Sequence, residues 1–514
     1  MSVVLPVQKH HAAQSWRAPR SLSPLTVAVA VACAVTLVRI FGTVDSDVAW
    51  QLWVARQIHA GADLYTDIIE TNPPLWFWMA VPAERMSAIL GLRAEPVLVL
   101  LIGIAVIGSL AATDRLVSHI RRDRRLPFLA YAAIAMAAMP WLHVGQREQI
   151  VLIGTIPYAA LMAARQQGQA IHSSLAVAVG IGAALGFALK HYFLAVPLAL
   201  ELWLMLSLRR EWRLFRPETL ALASVITAYV GSICLIEPDF ITRIVPLIHL
   251  AYGVFGRPIY AVLLNLHAVA GVLILAVAAT QIIPLASARV PVATALTVAS
   301  TVFAAVYFVQ FKGWPYHALP LIGCGSVALA ARLAEAPAAP LLRVLVPAAL
   351  LLPIGISAQE TRQIPEWQPD LAEAVAGLRK GDTVAFITAE TAVPWSVTLQ
   401  GGYLYPSRYN GFWQMQAIAD NERSPRPDPR VTALGHQIVA ETVADFTCMP
   451  PRRIIVMRPR PGEAGFDILA FYARSPDFAD LMSHYRVRSR TSLDTYELAS
   501  RLPAPSAPCR GEHG

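Results

Sequence analysis

Long apolar segments alternate with short polar connections between residues 25 and 357 of the chain. About twelve such segments are present, and most approach the roughly 20 residues that an α-helix needs to span a bilayer. Only 15% of the residues are charged, whereas a soluble domain usually carries about 25%. One soluble core cannot bury so many separate apolar segments, so the sequence predicts a mainly α, polytopic helical membrane bundle.

The positions of Lys and Arg predict the orientation, because these residues are retained on the cytoplasmic side of a membrane. Residues 1–24 are polar and basic. We expect them to form a cytoplasmic tail, from which residues 25–41 span outward without being cleaved. The Arg-rich loops 115–125 and 209–216 then fall inside. The chain must cross the membrane an odd number of times between its first outside loop and the inside loop 115–125. Two apolar segments lie there, so one of them does not cross, and the short segment 74–90 is predicted to lie in the outer interface. About eleven crossings remain.

This topology defines a membrane domain, 25–357, with an exported loop, 43–95, and places the C-terminal part outside. Strand-like and helix-like segments alternate within residues 358–502, which predicts a small exported α/β domain. Its predicted elements are strands at 382–388, 453–457 and 495–498 and a helix at 471–485. Residues 503–514 are predicted to form a disordered tail.

Composition and motifs argue against several other classes of protein. The net charge of +8 is modest and no nucleic-acid-binding module is present, so we expect no nucleic-acid partner. Two of the five cysteines, Cys448 and Cys509, lie in the predicted exported part. A disulfide is compatible with that compartment, but the spacing leaves the pairing open. The sequence contains no CxxC motif and no zinc-type spacing.

The first exported loop concentrates acids among tryptophans. Its residues 44–78 contain Asp45, Asp47, Asp63, Asp67 and Glu70 together with Trp50, Trp53, Trp76 and Trp78. Carboxylates beside a bilayer, among aromatic residues that favour the interface, predict a catalytic site. A carboxylate there can take the proton from an acceptor hydroxyl as the oxygen attacks a sugar carbon. The alternative is that Ser46 or Asp47 only caps a helix predicted over 48–59.

The same loop carries a family resemblance. Asp47, Ala55-Arg56-Gln57-Ile58, Gly61, Tyr65, Asp67, Glu70 and Pro73-Pro74-Leu75 resemble the first exported loop of the integral-membrane GT-C glycosyltransferases. That family includes protein O-mannosyltransferases and bacterial aminoarabinose transferases. The resemblance implies a GT-C fold over roughly residues 25–357, with Asp47 as the catalytic base and Asp45 as the second choice. It also implies a location in the bacterial inner membrane.

Two more site residues are predicted in this loop. Glu70 precedes Pro73-Pro74, whose restricted backbone steers the chain back toward the membrane. We expect Glu70 to face the site, where it orients the acceptor or holds Arg147, and we expect Tyr65 to line the substrate. The alternative for Glu70 is a turn carboxylate without a chemical role.

Three polar motifs at the outer ends of spans supply cations. The predicted donor-phosphate ligands are Arg147 in GQREQ, Lys190 and His191 in LKHYF, and Lys312 and His317 in FKGWPYH. A guanidinium forks onto phosphate oxygens, and a cation near lipid needs a partner. The alternatives are a structural ion pair for Arg147 and snorkelling of Lys190 to the membrane surface.

Aromatic residues accompany these cations. Trp314 and Tyr316 are predicted to line the substrate, although a membrane-interface belt also calls for Trp and Tyr. A longer outside loop contains His249, Tyr252 and Arg257. A plain interfacial loop is the favoured interpretation there, and a lining of the acceptor entrance is the alternative.

Together these features predict a glycosyltransferase at the outer membrane face. It would move a sugar, with inversion, from a polyprenyl-phosphate-linked donor to a hydroxyl of a glycan, lipid or protein. No cofactor is required, and a divalent cation held by Asp45, Asp47 and Glu70 is a less favoured alternative because clear ligand spacing is missing. Two other classes stay open: a transporter or flippase of a lipid-linked saccharide, and a non-catalytic envelope scaffold. The sequence leaves the sugar, the acceptor and the oligomeric state open.

Overall fold

The computed structural model describes residues 22–285, 287–337, 340–360, 365, 368–459, 465–505 and 509. Within them, the first fifteen α-helices are α1 (Pro24–Ile40), α2 (Ser46–His59), α3 (Leu75–Leu90), α4 (Ala94–Leu116), α5 (Arg122–Ala137), α6 (Arg147–Gln166), α7 (Ser173–Phe187), α8 (Ala195–Leu208), α9 (Pro217–Ile236), α10 (Val245–Ala251), α11 (Ile259–Leu263), α12 (Leu266–Ile282), α13 (Pro291–Gln310), α14 (Leu319–Glu335) and α15 (Pro340–Glu360). Almost all of the predicted tail 1–24, and most of 503–514, lies outside the described residues.

Six of the described helical stretches are long and apolar enough to cross a membrane, judged by length and composition: Ala94–Leu116, His191–Glu211, Pro217–Ile236, Pro291–Gln310, Pro315–Glu335 and Pro340–Glu360. Four shorter apolar helices accompany them, at Pro24–Ile40, Ser173–Phe187, Phe240–Phe255 and Leu266–Ile282. The chain is therefore a multi-pass membrane protein. Its orientation and the exact number of crossings stay predictions.

The apolar sequence of residues 259–287 predicts one continuous span, but the chain forms two helices there, α11 and α12. They are separated at Asn265, whose side chain accepts hydrogen bonds from the backbone N–H groups of His267 at 3.0 Å and Ala268 at 3.3 Å. This is the bonding of a helix N-cap. The Asn265 amide also donates to the carbonyl oxygen of Gly313 at 3.1 Å, which ties the break in the helix to the loop before α14.

Helices α2 and α3 form a pair in the loop 43–95. Arg56 on α2 and Glu84 on α3 form an ion pair with 3.3 Å between Nε and Oε2, and the Gln51 amide donates to the carbonyl oxygen of Trp76 at 2.5 Å. Helix α3 is the predicted segment 74–90, and its place in the outer interface stays a prediction. The pair fixes where α2 begins, and with it the position of the acids.

Helix α6, which begins at Arg147, is fixed by close contact with α7. A Cβ atom built on Gly186 would lie 2.9 Å from Cα of Val151, and one built on Gly154 would lie 3.0 Å from Cα of Ala183. Small residues allow two membrane helices to approach to backbone contact. This packing places the N-terminus of α6, and therefore Arg147, at a defined height in the bundle.

The C-terminal part forms the predicted α/β domain. Its elements are α16 (Gln368–Val375), β1 (Val384–Ile387), α17 (Ala392–Trp395), α18 (Thr398–Gly401), α19 (Met415–Arg423), α20 (Pro429–Cys448), β2 (Arg453–Met457), α21 (Ile468–Tyr472), α22 (Pro476–Ser483), β3 (Tyr485–Ser489) and β4 (Leu493–Leu498). The sheet has the order β1-β2-β4-β3, with β1 and β2 parallel and the other neighbours antiparallel. The three predicted strands are present. The predicted helix at 471–485 is wrong in part, because it breaks into α21 and α22, and its last residue begins β3.

The α/β domain docks on the loop that carries the acids. Four aromatic rings, which we call the aromatic seam, pack together between α2 and this domain: Trp50, Trp53, Trp395 and Tyr405. The centroid of Trp395 lies 4.6 Å from that of Trp50 and 5.0 Å from that of Tyr405. The backbone N–H of Ile69 also donates to the carbonyl oxygen of Arg408 at 2.8 Å. The two parts of the chain therefore share a packed and hydrogen-bonded contact.

Cys448 and Cys509 form a disulfide that joins the end of α20 to the C-terminal segment. Cys509, inside the predicted disordered tail, is therefore tethered to the domain. The three other cysteines, Cys33, Cys234 and Cys324, are free thiols on helices of the membrane domain.

Candidate active site

Two cavities adjoin each other at Arg147. The first, which we call the polar chamber, has a volume of about 480 Å³ and contains Asp45, Asp47, Glu70 and His143 in its lining. The second, which we call the apolar groove, has a volume of about 660 Å³. Its apolar lining includes Ile226, Val230, Ile233, Phe240, Val245 and Ile248. Thr71, Asn72, Arg147, Tyr252 and Trp314 line both cavities.

Asp45 and Asp47 lie at the N-terminus of α2, which begins two residues earlier than predicted. The cap is Asp45, since its Oδ1 accepts a hydrogen bond from the backbone N–H of Asp47 at 2.8 Å. Neither Ser46 nor Asp47 caps the helix through its side chain. The Gln146 amide bridges the two carboxylates, at 3.2 Å from Oδ1 of Asp45 and 3.2 Å from Oδ2 of Asp47. Capping the helix leaves Asp47 as the acid that is free to face the chamber.

His143 pairs with Asp45, with 3.0 Å between Nδ1 and Oδ2. Burial alone would lower the pKa of this imidazole, but the hydrogen bond and the charge of Asp45 outweigh burial and raise the pKa. Asp45 is therefore held by a helix N-terminus, an imidazole and an amide. This environment makes Asp45 a supporting residue and leaves the predicted role as second-choice base without geometric support.

Asp47 has an environment suited to proton transfer. Burial, followed by the charge of Asp45, raises its pKa to about 6, while Arg147 and the hydrogen bond from Gln146 act in the opposite direction. The phenol of Tyr316 also donates to Oδ2 of Asp47 at 3.3 Å. A general base is most effective when its pKa lies near the working pH. The chamber thus holds a carboxylate that is ionised near neutrality yet more basic than an exposed aspartate.

Glu70 acts on Arg147 through Asn72. One carboxylate oxygen of Glu70 accepts from the Asn72 side-chain amide at 2.7 Å and from its backbone N–H at 2.8 Å. The other accepts from the indole N–H of Trp50. The Asn72 side-chain oxygen in turn accepts from the Arg147 guanidinium. The predicted link between Glu70 and Arg147 is therefore present with Asn72 between them, rather than as a direct ion pair.

The Arg147 guanidinium also lies over the indole of Trp76, with its Cζ 4.6 Å from the ring centroid. Its Nε is buried and has no hydrogen-bond partner among the described residues. Arg147 makes no ion pair with a carboxylate in that part of the chain, so the predicted alternative of a structural ion pair is not what the structure contains. A fixed, incompletely satisfied guanidinium on the wall between two cavities is suited to bind an anion.

Lys190 has a partner within the protein. Its Nζ lies 2.6 Å from Oε1 of Glu148 and 3.1 Å from Nε2 of His317. Lys190 therefore does not snorkel to the surface but lies in a mostly buried cluster, and its predicted role as a phosphate ligand stays a prediction. The second oxygen of Glu148 and Nδ1 of His317 have no partner among the described residues. Lys190 and His317 line the apolar groove, but Glu148 offsets the charge that Lys190 brings there.

Lys312 lines the same groove, and unlike Lys190 it has no carboxylate beside it among the described residues. Its Nζ lies 3.5 Å from the carbonyl oxygen of Tyr252 and 4.3 Å from the centroid of that ring. Among the described residues it forms no ion pair with a carboxylate. The predicted His191 also lines the groove, as an exposed side chain, and Trp314 lines both cavities.

Tyr65 is the predicted site residue that the structure places elsewhere. It is fully buried and lines neither cavity. Its phenol donates to the carbonyl oxygen of Asn72 at 2.8 Å, and its φ of +74° lies in the left-handed region that side chains rarely adopt. Tyr65 therefore holds the loop that presents Asn72, and its prediction as a substrate-lining residue is wrong.

The predicted loop around His249 is helical and lines the site. His249 lies on α10 beside the apolar groove, Tyr252 lines both cavities, and Arg257 lines the polar chamber. The segment is therefore largely helical rather than a plain loop, and a role at the acceptor entrance stays a prediction. His143, Gln146, Asn72 and Glu148 were not predicted as site residues. His143 and Gln146 lie within four residues of Arg147 in the sequence, which is the signal that could have identified them.

Within the part of the chain that the structure describes, no three His, Cys, Asp or Glu side chains are grouped so that they could hold a metal ion. Asp45, Asp47 and Glu70 were the predicted alternative ligands. Asp45 is bound to His143, and Glu70 is bound to Trp50 and Asn72.

No protein-family model matches the chain, and no curated protein matches it in sequence. Solved structures do match. The crystal structure of ArnT from Cupriavidus metallidurans bound to undecaprenyl phosphate is 13% identical with a TM-score of 0.56, and the match covers 93% of this chain and 99% of that chain. The apo structure of the same protein is 14% identical with a TM-score of 0.55, covering 93% of this chain and 98% of that chain. The chain therefore has the GT-C fold of the integral-membrane glycosyltransferases.

Proposed function

We propose that the protein is a membrane glycosyltransferase that moves a sugar from a polyprenyl-phosphate-linked donor to an acceptor hydroxyl, with inversion, at the outer face of a bacterial inner membrane. The observation that carries this proposal is the position of Arg147. One guanidinium lines both the acid-bearing polar chamber and the cation-rimmed apolar groove. A donor phosphate at Arg147 would bring its sugar next to Asp47 while its prenyl chain occupies the groove.

Asp47 serves as the base in this reaction. Its carboxylate takes the proton of the acceptor hydroxyl while that oxygen forms a bond to the anomeric carbon of the sugar. The bond between the anomeric carbon and the phosphate oxygen breaks, and its electron pair leaves with the lipid phosphate. Attack from the side opposite the phosphate inverts the anomeric centre. A pKa of about 6 leaves most of Asp47 ionised at pH 7, as a base requires.

Arg147 and Lys312 stabilise the leaving phosphate. Charge on the phosphate oxygens grows as the bond to the sugar breaks, and fixed cations in a water-poor site stabilise such charge strongly. Lys312 has no competing carboxylate among the described residues, whereas Lys190 is paired with Glu148. We therefore assign the main electrostatic role to Arg147 and Lys312, and a supporting role to Lys190, His191 and His317.

Three further observations support the lipid donor and the outward location. The apolar groove is lined by aliphatic side chains of α9 and α10, and the ArnT structure of similar fold holds undecaprenyl phosphate. The Cys448–Cys509 disulfide lies on the α/β domain that covers the site. Disulfides persist in exported compartments and are rare in the cytosol, so this domain fits the outside of the cell.

The test compares a strain that lacks the protein with strains that carry the wild-type chain, Asp47→Asn or Asp63→Asn. Asp63 is an exposed acid of the same loop that lines neither cavity, which makes it the matched control. Mass spectrometry of envelope glycans should show one sugar missing in the deletion strain, restored by wild-type and Asp63→Asn chains. With Asp47→Asn, transfer should fall by about 10²- to 10⁴-fold, the usual contribution of a general base.

Lipid binding separates this proposal from the other classes. Purified Asp47→Asn protein should bind undecaprenyl phosphate as the wild type does, because the variant keeps the groove intact. An Asp47→Asn strain with normal envelope glycans would contradict the proposal, since a flippase or a scaffold does not need this base.

A further inference from the structure

The α/β domain supplies one wall of the polar chamber. The residues of this domain that line the chamber are Ala389, Glu390, Thr391, Asn410, Trp413 and Gln416. Three of them follow directly on the carboxyl end of β1, the edge at which open α/β sheets commonly bind ligands. The wall faces the acids of α2 across the chamber, and its residues take no part in the chemistry assigned above.

The wall is built on a fixed loop. The backbone N–H of Phe412 donates to the carbonyl oxygen of Thr388 at 2.8 Å, which attaches the loop to the end of β1. Gly411 has a φ of +149°, in a region that favours glycine, and a Cβ there would lie 3.3 Å from Cγ2 of Thr391. This turn brings Asn410 and Trp413, three residues apart, to the same cavity.

The side chains of the wall are suited to a polyhydroxylated ligand. The side-chain oxygen of Asn410 is buried and has no hydrogen-bond partner among the described residues. Trp413 is held at its edge by Tyr252, with 5.6 Å between ring centroids and an interplanar angle of 83°. Glu390 and Gln416 are exposed. Amides and a carboxylate together donate and accept hydrogen bonds, and an indole packs against the C–H face of a sugar ring.

We infer that this wall is the acceptor subsite and that the acceptor is a saccharide. A sugar ring of the acceptor packs on Trp413, and its hydroxyls bond to Glu390, Asn410 and Gln416, so that a neighbouring hydroxyl reaches Asp47. The inference rests on the proposed function, because it assigns the second substrate of the same reaction. It assigns specificity to the α/β domain and chemistry to the membrane domain.

The other acceptor classes fit this wall less well. A lipid acceptor needs an apolar channel, but the apolar groove lies on the far side of Arg147 and is assigned to the donor. A peptide acceptor commonly adds a strand to a free sheet edge. At the edge next to the chamber, β1 is already bonded to Leu404, through Val384 N–H at 2.9 Å and through the Leu404 N–H to Asp382 at 3.0 Å. The opposite edge strand, β3, contributes no residue to the chamber lining. The volume of about 480 Å³ falls within the range of small-ligand pockets.

The test uses the full-length protein in nanodiscs. The donor is the polyprenyl-phosphate sugar lipid fraction of the deletion strain, labelled in the sugar, and the acceptors are its envelope saccharide, protein and lipid fractions, offered separately. The variants are Trp413→Ala and the double variant Glu390→Gln/Gln416→Ala. Trp413 is buried, whereas Glu390 and Gln416 are exposed, so the double variant tests the wall without loss of a packed side chain. Matched controls on the same domain, outside the chamber, are Glu422→Gln and Gln437→Ala. Lys312→Ala serves as the donor-side comparison.

Label should enter the saccharide fraction. Both acceptor-wall variants should raise the acceptor KM about tenfold or more, with the donor KM changed less than twofold, as loss of ground-state contacts to one substrate predicts. Lys312→Ala should instead lower kcat and raise the donor KM, with the acceptor KM changed less than twofold. Label in the protein or lipid fraction, or an unchanged acceptor KM in both wall variants, overturns the inference while leaving the proposed function standing. Absence of any transfer, with Asp47→Asn indistinguishable from wild type, overturns the proposed function itself.

Discussion

The phenol oxygen of Tyr316 lies 3.3 Å from Oδ2 of Asp47, although 269 residues separate the two in the sequence. Asp47 lies at the start of α2, and Tyr316 lies in the short turn that leads into α14. This hydrogen bond and the one from the Gln146 amide both fall on Oδ2 and fix the orientation of the carboxylate. The base is thereby oriented by a residue from the opposite end of the membrane domain.

Tyr316→Phe should lower kcat about tenfold and leave the donor KM unchanged. A hydrogen bond to a charged group contributes about 1.5–3 kcal/mol, and loss of the orienting bond affects the step in which the proton moves. Steady-state kinetics of the full-length protein measure both constants. Tyr307→Phe is the control, because its buried phenol bonds to the carbonyl oxygen of Val262 at 3.3 Å and lies outside both cavities. Equal losses in the two variants would assign Tyr316 to folding alone.

The pH dependence of kcat/KM should follow Asp47. Activity should fall as the pH drops through about 6, because protonated Asp47 cannot accept the hydroxyl proton. Gln146→Leu removes a hydrogen bond that favours the ionised form, so the acid limb of the profile should move to higher pH. Asp45→Asn removes a neighbouring negative charge while keeping a capping side chain, so the limb should move to lower pH. Shifts of the same sign in both variants would contradict Asp47 as the titrating base.

Lys190 and Glu148 should behave as a structural pair. Removing one partner of a buried ion pair commonly costs about 3–5 kcal/mol, because the other charge is left without compensation. Lys190→Met should therefore lower the free energy of unfolding in mixed micelles strongly, and Lys190→Met/Glu148→Gln should recover most of the loss. A single variant as stable as the double variant would show that Lys190 is free to serve the donor phosphate instead.

The Cys448–Cys509 disulfide should report the side of the membrane on which the α/β domain lies. In a Cys33→Ser/Cys234→Ser background, a membrane-impermeant maleimide should label the chain in right-side-out vesicles only after an impermeant reductant is added. Removing the disulfide should also lower the stability of the domain by about 2–4 kcal/mol. Labelling that requires permeabilised membranes would place the domain in the cytoplasm and contradict the predicted orientation.

Much of the site could be predicted because charged side chains cost free energy near lipid and therefore stand out within apolar sequence. Arg147, Lys190, Lys312 and His317 interrupt apolar segments, and such interruptions persist where a site or a partner compensates them. The predicted crossings put these residues on the same side of the membrane as Asp47. The structure brings them to two adjoining cavities. The strands of the α/β domain were equally visible, since buried strands form short aliphatic runs.

The pairing of individual side chains could not be predicted. Helices that are apolar on every side carry no periodic signal of their rotation, so the sequence does not show that Lys190 turns toward Glu148 rather than toward a lipid. Tyr65 was misplaced for a related reason, because its inward direction depends on a left-handed backbone conformation. The chamber wall that includes Trp413 is assembled by tertiary contact between two domains, which no local pattern records.

The aromatic seam has a consequence for chimeric proteins. Trp50 belongs to the helix that presents Asp47, packs on Trp395 of the α/β domain and donates its indole N–H to Glu70. Grafting the C-terminal domain of another protein onto this bundle would therefore unseat Glu70 and the neighbouring Asn72 unless α2 were transplanted with it. A chimera that exchanges acceptor selectivity must therefore exchange residues 45–72 together with the α/β domain. Its splice points lie before Asp45 and after Asn72.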